Sequence, residues 1–322
     1  MIRSTRRTIR TIRWALSACC VLTLATPGSA AAQSSGIVVF GTSLSDPGNA
    51  FVLVGDQSTP PDYLLNPFLI PSAPYARGGH HFSDGATWIE QYGRTVGLGD
   101  SVQAALATTD TRVTNFAVGA ARAYEDGHNF NLTRQVNTFL ERSGGVAASD
   151  NLYVIEMGSN DVRDAFLLYA TGGNGGPVLA QGLGSIAANV QRLYFAGARK
   201  FLVWSVPNIA LTPAIASLGP VAGGLANQVT VAFNGLLAQT LGQLTIALAG
   251  ISFARLDAYQ LLSDIVDNPP LFDLTNVTAA CVTPNVAPFS CKKADDYLFW
   301  DGIHPTKAGH ALLAGEAARV LR

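Results

Sequence analysis

Five short stretches of the chain are almost unbroken in apolar character: GIVVF (36–40), RVTNFAV (112–118), NLYVIEMG (151–158), KFLVWSVP (200–207) and GISFARLDAY (250–259). None alternates apolar with polar, which would mark a strand with one wet face. Each reads as a strand covered on both sides, as in parallel sheets. Between them the apolar spacing changes to three and four. In NLTRQVNTFLER, Leu132, Val136 and Leu140 recur at fourfold spacing, and PVLAQGLGSIAANVQRLYFAGA and NQVTVAFNGLLAQTLGQLTIAL carry longer amphipathic patterns. DGATWIEQYGRTVGL opens with Asp84 as its candidate helix cap. Strands alternating with helices predict right-handed crossovers and an α/β fold: a three-layer α/β/α sandwich around a central, mostly parallel, five-stranded sheet.

The first 32 residues stand apart from this pattern. MIRSTRRTIRTIR has five Arg and no acid, WALSACCVLTLA is a short apolar run, and TPGSAAAQ offers small residues at cleavage positions. This is the form of a secretory signal peptide cleaved after Ala32, and it predicts a secreted or periplasmic protein. LSAC, ending at Cys19, has the shape of a lipoprotein box but follows only about five apolar residues, fewer than an export signal uses. Arg6-Arg7 matches a twin-arginine signal. No second apolar run predicts an integral membrane segment in the mature chain. With no internal repeat and no long linker, residues 33–322 are expected to form one domain. The Gly-rich ATGGNGG (170–176) lies between helical patterns rather than after a strand, so it reads as a connection and not a phosphate cradle.

Charge and cysteine content narrow the function. The full chain has 21 basic and 22 acidic residues, and loss of the leader's five Arg leaves a net charge of about −6. Such a surface excludes a nucleic-acid partner. Cys19 and Cys20 leave with the leader. Cys281 and Cys291 remain, and in an exported chain they predict a disulfide rather than a metal site, because CVTPNVAPFSC supplies no His or carboxylate.

Reactive groups in such sheets gather beyond the carboxyl ends of the strands. Three apolar runs end in small polar clusters there: GTSLSD, GAAR and GSND. Singly these are also the residues of an ordinary turn, with Ser45 or Asp46 capping a helix. A fourth segment, FWDGIHPTKAGH, sets Asp301 three residues before His304. A His acting as general base needs an acceptor on its second ring nitrogen, and Asp301 can be that acceptor. Other polar residues have plainer readings. Ser45, a rival nucleophile, suits a cap, and His80-His81 suits a solvated loop. His128 reads as exposed, His310 as a helix residue, and Asp161 as a support for its turn.

FGTSLSDPGN, NFAVGAAR, GSND and DGIHPT, in this order over nearly the whole mature chain, resemble the four blocks of the GDSL or SGNH hydrolases. VPNIALTP, FNGLLAQ and TNVTAAC are similar to stretches of its secreted bacterial esterase and lipase group. The resemblance implies a flavodoxin-like SGNH hydrolase fold with Ser43 as nucleophile and Asp301 and His304 completing a triad. It implies an oxyanion hole from the backbone N–H of Ser43, that of Gly119 and the side chain of Asn160. It also implies a carboxylic-ester hydrolase acting through an acyl-enzyme on a small-molecule or lipid ester, with no metal or cofactor. Two positions depart from the family pattern: Thr42 stands where an Asp is usual, and Ala120 where a second Gly is usual. Either Gly119 or Ala120 could supply the donor. The apolar insertions at 51–79 and 268–291 are candidate walls of an acyl pocket. The same scaffold would also suit a carbohydrate O-acetylesterase, an acyltransferase or a non-catalytic binding protein.

Overall fold

Strand β1 (Ile37–Gly41) is buried along its whole length, and so is β2 (Leu152–Glu156) beside it. Both are apolar on every position but the last, because both faces of the sheet are covered. With β3 (Lys200–Trp204) and β4 (Ser252–Leu256) they make a parallel sheet in the order β1-β2-β3-β4. The computed structural model describes residues 34–54, 80–283 and 286–322, and Ser34–Arg322 is one compact unit. Residues 1–32, on which the signal-peptide expectation falls, and nearly all of the 51–79 insertion lie outside the described residues.

Successive strand residues face opposite sides, which builds two cores. Val38, Phe40, Tyr153, Phe201 and Val203 face a layer containing α3 (Leu132–Arg142), α4 (Ser159–Ala170), α5 (Gly176–Ala196) and α7 (Pro220–Ala247). Ile37, Val39, Val154, Leu202 and Trp204 face α2 (Trp88–Thr95) and α9 (Lys307–Val320). The result is the expected three-layer α/β/α class. Among the described residues α7 alone is long and apolar enough to cross a membrane. It places Phe233, Leu237 and Leu241 in the first core.

The sheet has four strands rather than five. Residues 112–118 do lie beside β1, since Val39 donates to Thr114 O, Phe116 to Val39 O and Val118 to Gly41 O at 2.9, 2.8 and 3.2 Å. They make only isolated bridges there. The missing ladder bond is that of Gly41 N–H, which goes to Gln135 Oε1 at 2.9 Å, while Asn115 on the opposite edge bonds to Ala117 N–H, Ser45 O and Val102 O. A side chain that captures a strand's backbone N–H competes with the ladder. Helix α2 also starts later than expected. Thr87 precedes it and donates from both its N–H and its hydroxyl to Glu90, while Asp84 accepts from Lys307 N–H instead.

The remaining elements are short. They are α1 (Asn49–Val54), α6 (Pro213–Ala216), α8 (Ala258–Asp267) and a two-stranded parallel pair, β5 (Asn276–Ala280) with β6 (Tyr297–Phe299). Cys281 and Cys291 are joined as a disulfide, Cα–Cα 5.2 Å, in the segment between β5 and β6.

Candidate active site

Two turns meet beyond the ends of β1 and β6. Ser43 Oγ lies 2.9 Å from His304 Nε2, although the two residues are 261 positions apart. His304 Nδ1 lies 2.8 Å from Asp301 Oδ2. Asp301 Oδ1 also accepts the N–H groups of Ile303 at 2.8 Å and His304 at 2.7 Å. One carboxylate thus sets both the backbone and the ring of the histidine, and with Nδ1 facing an acceptor, Nε2 is left for the serine. Phe82 packs against the imidazole, ring centroids 5.1 Å apart.

The turn carrying Ser43 is tied from beneath by Glu156 at the end of β2. Its carboxylate accepts Thr42 N–H at 2.8 Å and Thr42 Oγ1–H at 3.0 Å, and the Ser45 hydroxyl is also a hydrogen-bond partner. Thr42 therefore bonds to a carboxylate on the neighbouring strand where the family pattern has an acid in the turn itself. Burial pushes Glu156 up to about 7 against these donors. Gln135 adds bonds to both the N–H and C=O of Gly41, each at 2.9 Å. Ser45, the rival nucleophile, is buried and accepts from the Trp88 indole at 2.9 Å; it caps nothing.

Asp46 closes the other side of the turn. It accepts from Gly48, Asn49 and Ala50 at the start of α1, and from Gly119 N–H at 2.7 Å. Gly119, one of the two candidate donors, thus gives its N–H to a carboxylate. Its lack of a side chain matters for packing, since a Cβ there would sit 2.1 Å from the Phe82 ring. The next residue, Ala120, has a φ of 64°, a region that favours glycine. Among the described residues no acceptor takes the N–H of Ala120 or of Ser43.

Asn160 lies in the first turn of α4, after Gly158, whose φ is 115°. Asn160 Nδ2 donates to Ala121 O at 2.7 Å, which fixes the amide and leaves its second hydrogen without an acceptor among the described residues. Asp161 braces the facing loop by accepting from Ala123 and Tyr124 N–H, and burial pushes it up to about 6. Ser43, Asn160 and His304 line one recess of about 70 Å³. Arg163 lines it too, paired with Asp164 at 3.0 Å, and burial pulls its pKa down.

The other histidines lie apart from this arrangement. His310 is buried and accepts Trp88 N–H at Nδ1, and burial holds it down to about 3. His81 is not in a solvated loop, since its Nε2 lies 2.9 Å from Glu90 in a mostly buried pair. His128 is exposed. Among the described residues no cluster of His, Cys, Asp and Glu is arranged to hold a metal ion.

Glu156, Gln135, Asn115 and Arg163 were missed by sequence reasoning. Glu156 did leave a signal: an acid inside the apolar run NLYVIEMG must be hydrogen-bonded if buried. Asn115 left the same kind of signal inside RVTNFAV, whereas Gln135 and Arg163 sit in ordinary helical patterns and left none.

A hydroxyl, an imidazole and a carboxylate in series at the strand ends of an α/β sandwich is the arrangement serine hydrolases use. The chain belongs to the GDSL-like lipase/acylhydrolase family, whose model matches residues 37–317. Similar proteins include two GDSL esterase/lipases of Arabidopsis thaliana. One is 28% identical over 62% of this chain and 65% of its own length. The other is 28% identical over 87% of this chain and 80% of its own. The extracellular lipase from Streptomyces rimosus, a solved structure, aligns over 88% of this chain and 99% of that one, with a TM-score of 0.40 and 15% identity.

Proposed function

We propose that the protein is an exported carboxylic-ester hydrolase that works through a Ser43–His304–Asp301 triad. The observation that carries this reading is the pair of contacts at 2.9 and 2.8 Å that link Ser43 to His304 and His304 to Asp301. Ser43 Oγ attacks the ester carbonyl carbon while its proton passes to His304 Nε2. The carbonyl oxygen becomes an oxyanion, stabilised by the N–H groups of Ser43 and Ala120 and by the Asn160 amide. When the tetrahedral species collapses, the C–O bond to the alcohol breaks and His304 returns the proton to the leaving alkoxide. Water then attacks the acyl-serine by the same route in reverse, releasing the acid and restoring the Ser43 hydroxyl. The Asp301 carboxylate holds the imidazolium.

The Ala120 assignment replaces Gly119 for a physical reason: an N–H bonded to a carboxylate at 2.7 Å cannot also serve a developing oxyanion. Export rests on residues 1–32 as a signal peptide, with residues 33–322 as one hydrolase domain. The test is turnover of p-nitrophenyl butanoate by the purified protein. Ser43→Ala should lower kcat by about 10⁴-fold or more with thermal unfolding unchanged. An unaltered rate in that variant would put the chemistry elsewhere.

A further inference from the structure

Residues 118–124, beside the end of β1, give their backbone N–H groups away one by one. Val118 donates to Gly41 O at 3.2 Å, Gly119 to Asp46 at 2.7 Å and Ala121 to Val118 O at 3.2 Å. Arg122 donates to Asn131 Oδ1, and Ala123 and Tyr124 donate to Asp161. Ala120 alone in this run has an N–H with no acceptor among the described residues. The same residue has a φ of 64°, a conformation that a side chain disfavours. A strained residue persists only where its surroundings over-determine it, and here the strain falls on the one unspent donor.

The guanidinium of Arg122 supplies the restraint. It is buried, with Nε and Nη2 on the two Asp164 oxygens at 2.8 and 3.2 Å. That pairing turns the third nitrogen back on the chain, and Nη1 donates to Ala120 O at 2.6 Å. Because φ relates a residue's N–H to its own carbonyl, a carbonyl held by a fixed cation also fixes where the N–H points. We propose that Arg122 is a positioning residue for the oxyanion: its bond to Ala120 O keeps Ala120 left-handed, and so keeps the Ala120 N–H directed at the reacting carbonyl oxygen. The inference rests on the ester-hydrolase reading with Ala120 as a donor. Arg122 does not line the recess that holds Ser43, so it acts through the backbone and not on the substrate.

Two substitutions remove the bond without stranding a buried charge. Arg122→Lys keeps a cation for Asp164 but has a single nitrogen, which cannot serve Asp164 and Ala120 O as a fork does. Arg122→Gln leaves Asp164 with Arg163 at 3.0 Å and the Tyr124 hydroxyl at 3.0 Å. The experiment measures kcat and KM for p-nitrophenyl butanoate. Each variant should lower kcat about tenfold or more and leave KM within about twofold, because an oxyanion contact is made only in the transition state. The decisive comparison repeats Arg122→Lys in an Ala120→Gly background. Glycine takes the left-handed conformation freely, so the loss caused by Arg122→Lys should shrink about fivefold or more there. An arginine that only supports the fold would cost the same in both backgrounds. A fall of less than about tenfold in both variants, a loss carried by KM, an equal loss in the glycine background, or unfolding of both variants would overturn the proposal. No ester turnover by the wild type, or an unaltered rate in Ser43→Ala, would instead overturn the hydrolase reading on which it rests.

Discussion

The two turns that meet at the site are held in opposite ways. On the base side, Asp301 bonds to Ile303 and His304, within three residues of itself, and Trp300 N–H closes the loop on His304 O at 2.8 Å. On the nucleophile side, Gln135, Glu156, Trp88, Asn115 and Gly119 all reach the turn at 41–46 from between 43 and 114 residues away. The base loop takes its side-chain bonds locally, with Ala214 N–H on Gly302 O and Ser83 Oγ on Pro305 O as distant ties, whereas the nucleophile turn is a product of the assembled sheet. A local motif can survive a change in its surroundings, whereas an assembled one fails when any distant support is lost.

That contrast can be broken or sharpened by experiment, the largest effect coming from the base side. Asp301→Asn keeps a carbonyl oxygen for the N–H groups of Ile303 and His304 but sets an amide against Nδ1. Its kcat on p-nitrophenyl butanoate should fall about 10³- to 10⁴-fold with the unfolding temperature little changed. Unfolding of this variant would show that the base loop is not self-contained.

The middle effect concerns Glu156. Its folded-state pKa is raised from 4.5 to about 7 by burial, so the folded protein binds this proton more tightly than the unfolded chain. The stability it contributes is fully present below about pH 4.5 and is lost as pH rises to about 7, a change of about 3 kcal/mol from this group. Asp46 and Asp161, pushed up to about 6 by burial, act in the same direction over a narrower window. Thermal or urea unfolding of the wild type at pH 4.5, 6 and 8 should therefore show falling stability, and Glu156→Gln should remove its own share of the fall. An identical pH slope in the variant would mean that Glu156 stays ionised throughout.

The smallest effect is at Ala120, where φ is 64°. A left-handed conformation costs a non-glycine residue about 1–2 kcal/mol, part of which glycine gives back as unfolded-state freedom. Ala120→Gly should raise stability by up to about 1 kcal/mol in urea unfolding and leave esterase activity in place. A destabilised variant would indicate that the Ala120 methyl is needed for packing.

Much of this fold was legible in the chain because β1, β2 and β3 are buried on both faces and appear as unbroken apolar runs, while the edge strand β4 is partly exposed. The exception is RVTNFAV, which lies beside β1 but loses the ladder bond of Gly41 N–H to the Gln135 side chain. Asp84 looked like a helix cap by position, yet Thr87 and Glu90 close that end between themselves. In the site, Asp301 and His304 were legible as a pair because three residues suffice to bring their side chains together. Glu156 was visible only as an anomaly in an apolar run, with no hint of which turn it would hold.

The amino-acid order by itself determined the strand and helix succession, the Asp301–His304 pair and the small residues around Ser43, all set by neighbours a few positions apart. Tertiary structure alone decided that Ser43 and His304 meet, that Gly119 gives its N–H to Asp46 and that Glu156 holds the turn at Thr42. Periodicity and turn chemistry act over a few residues, whereas these outcomes depend on how β1, β2 and the β5–β6 pair pack, with loop closure across as many as 261 residues.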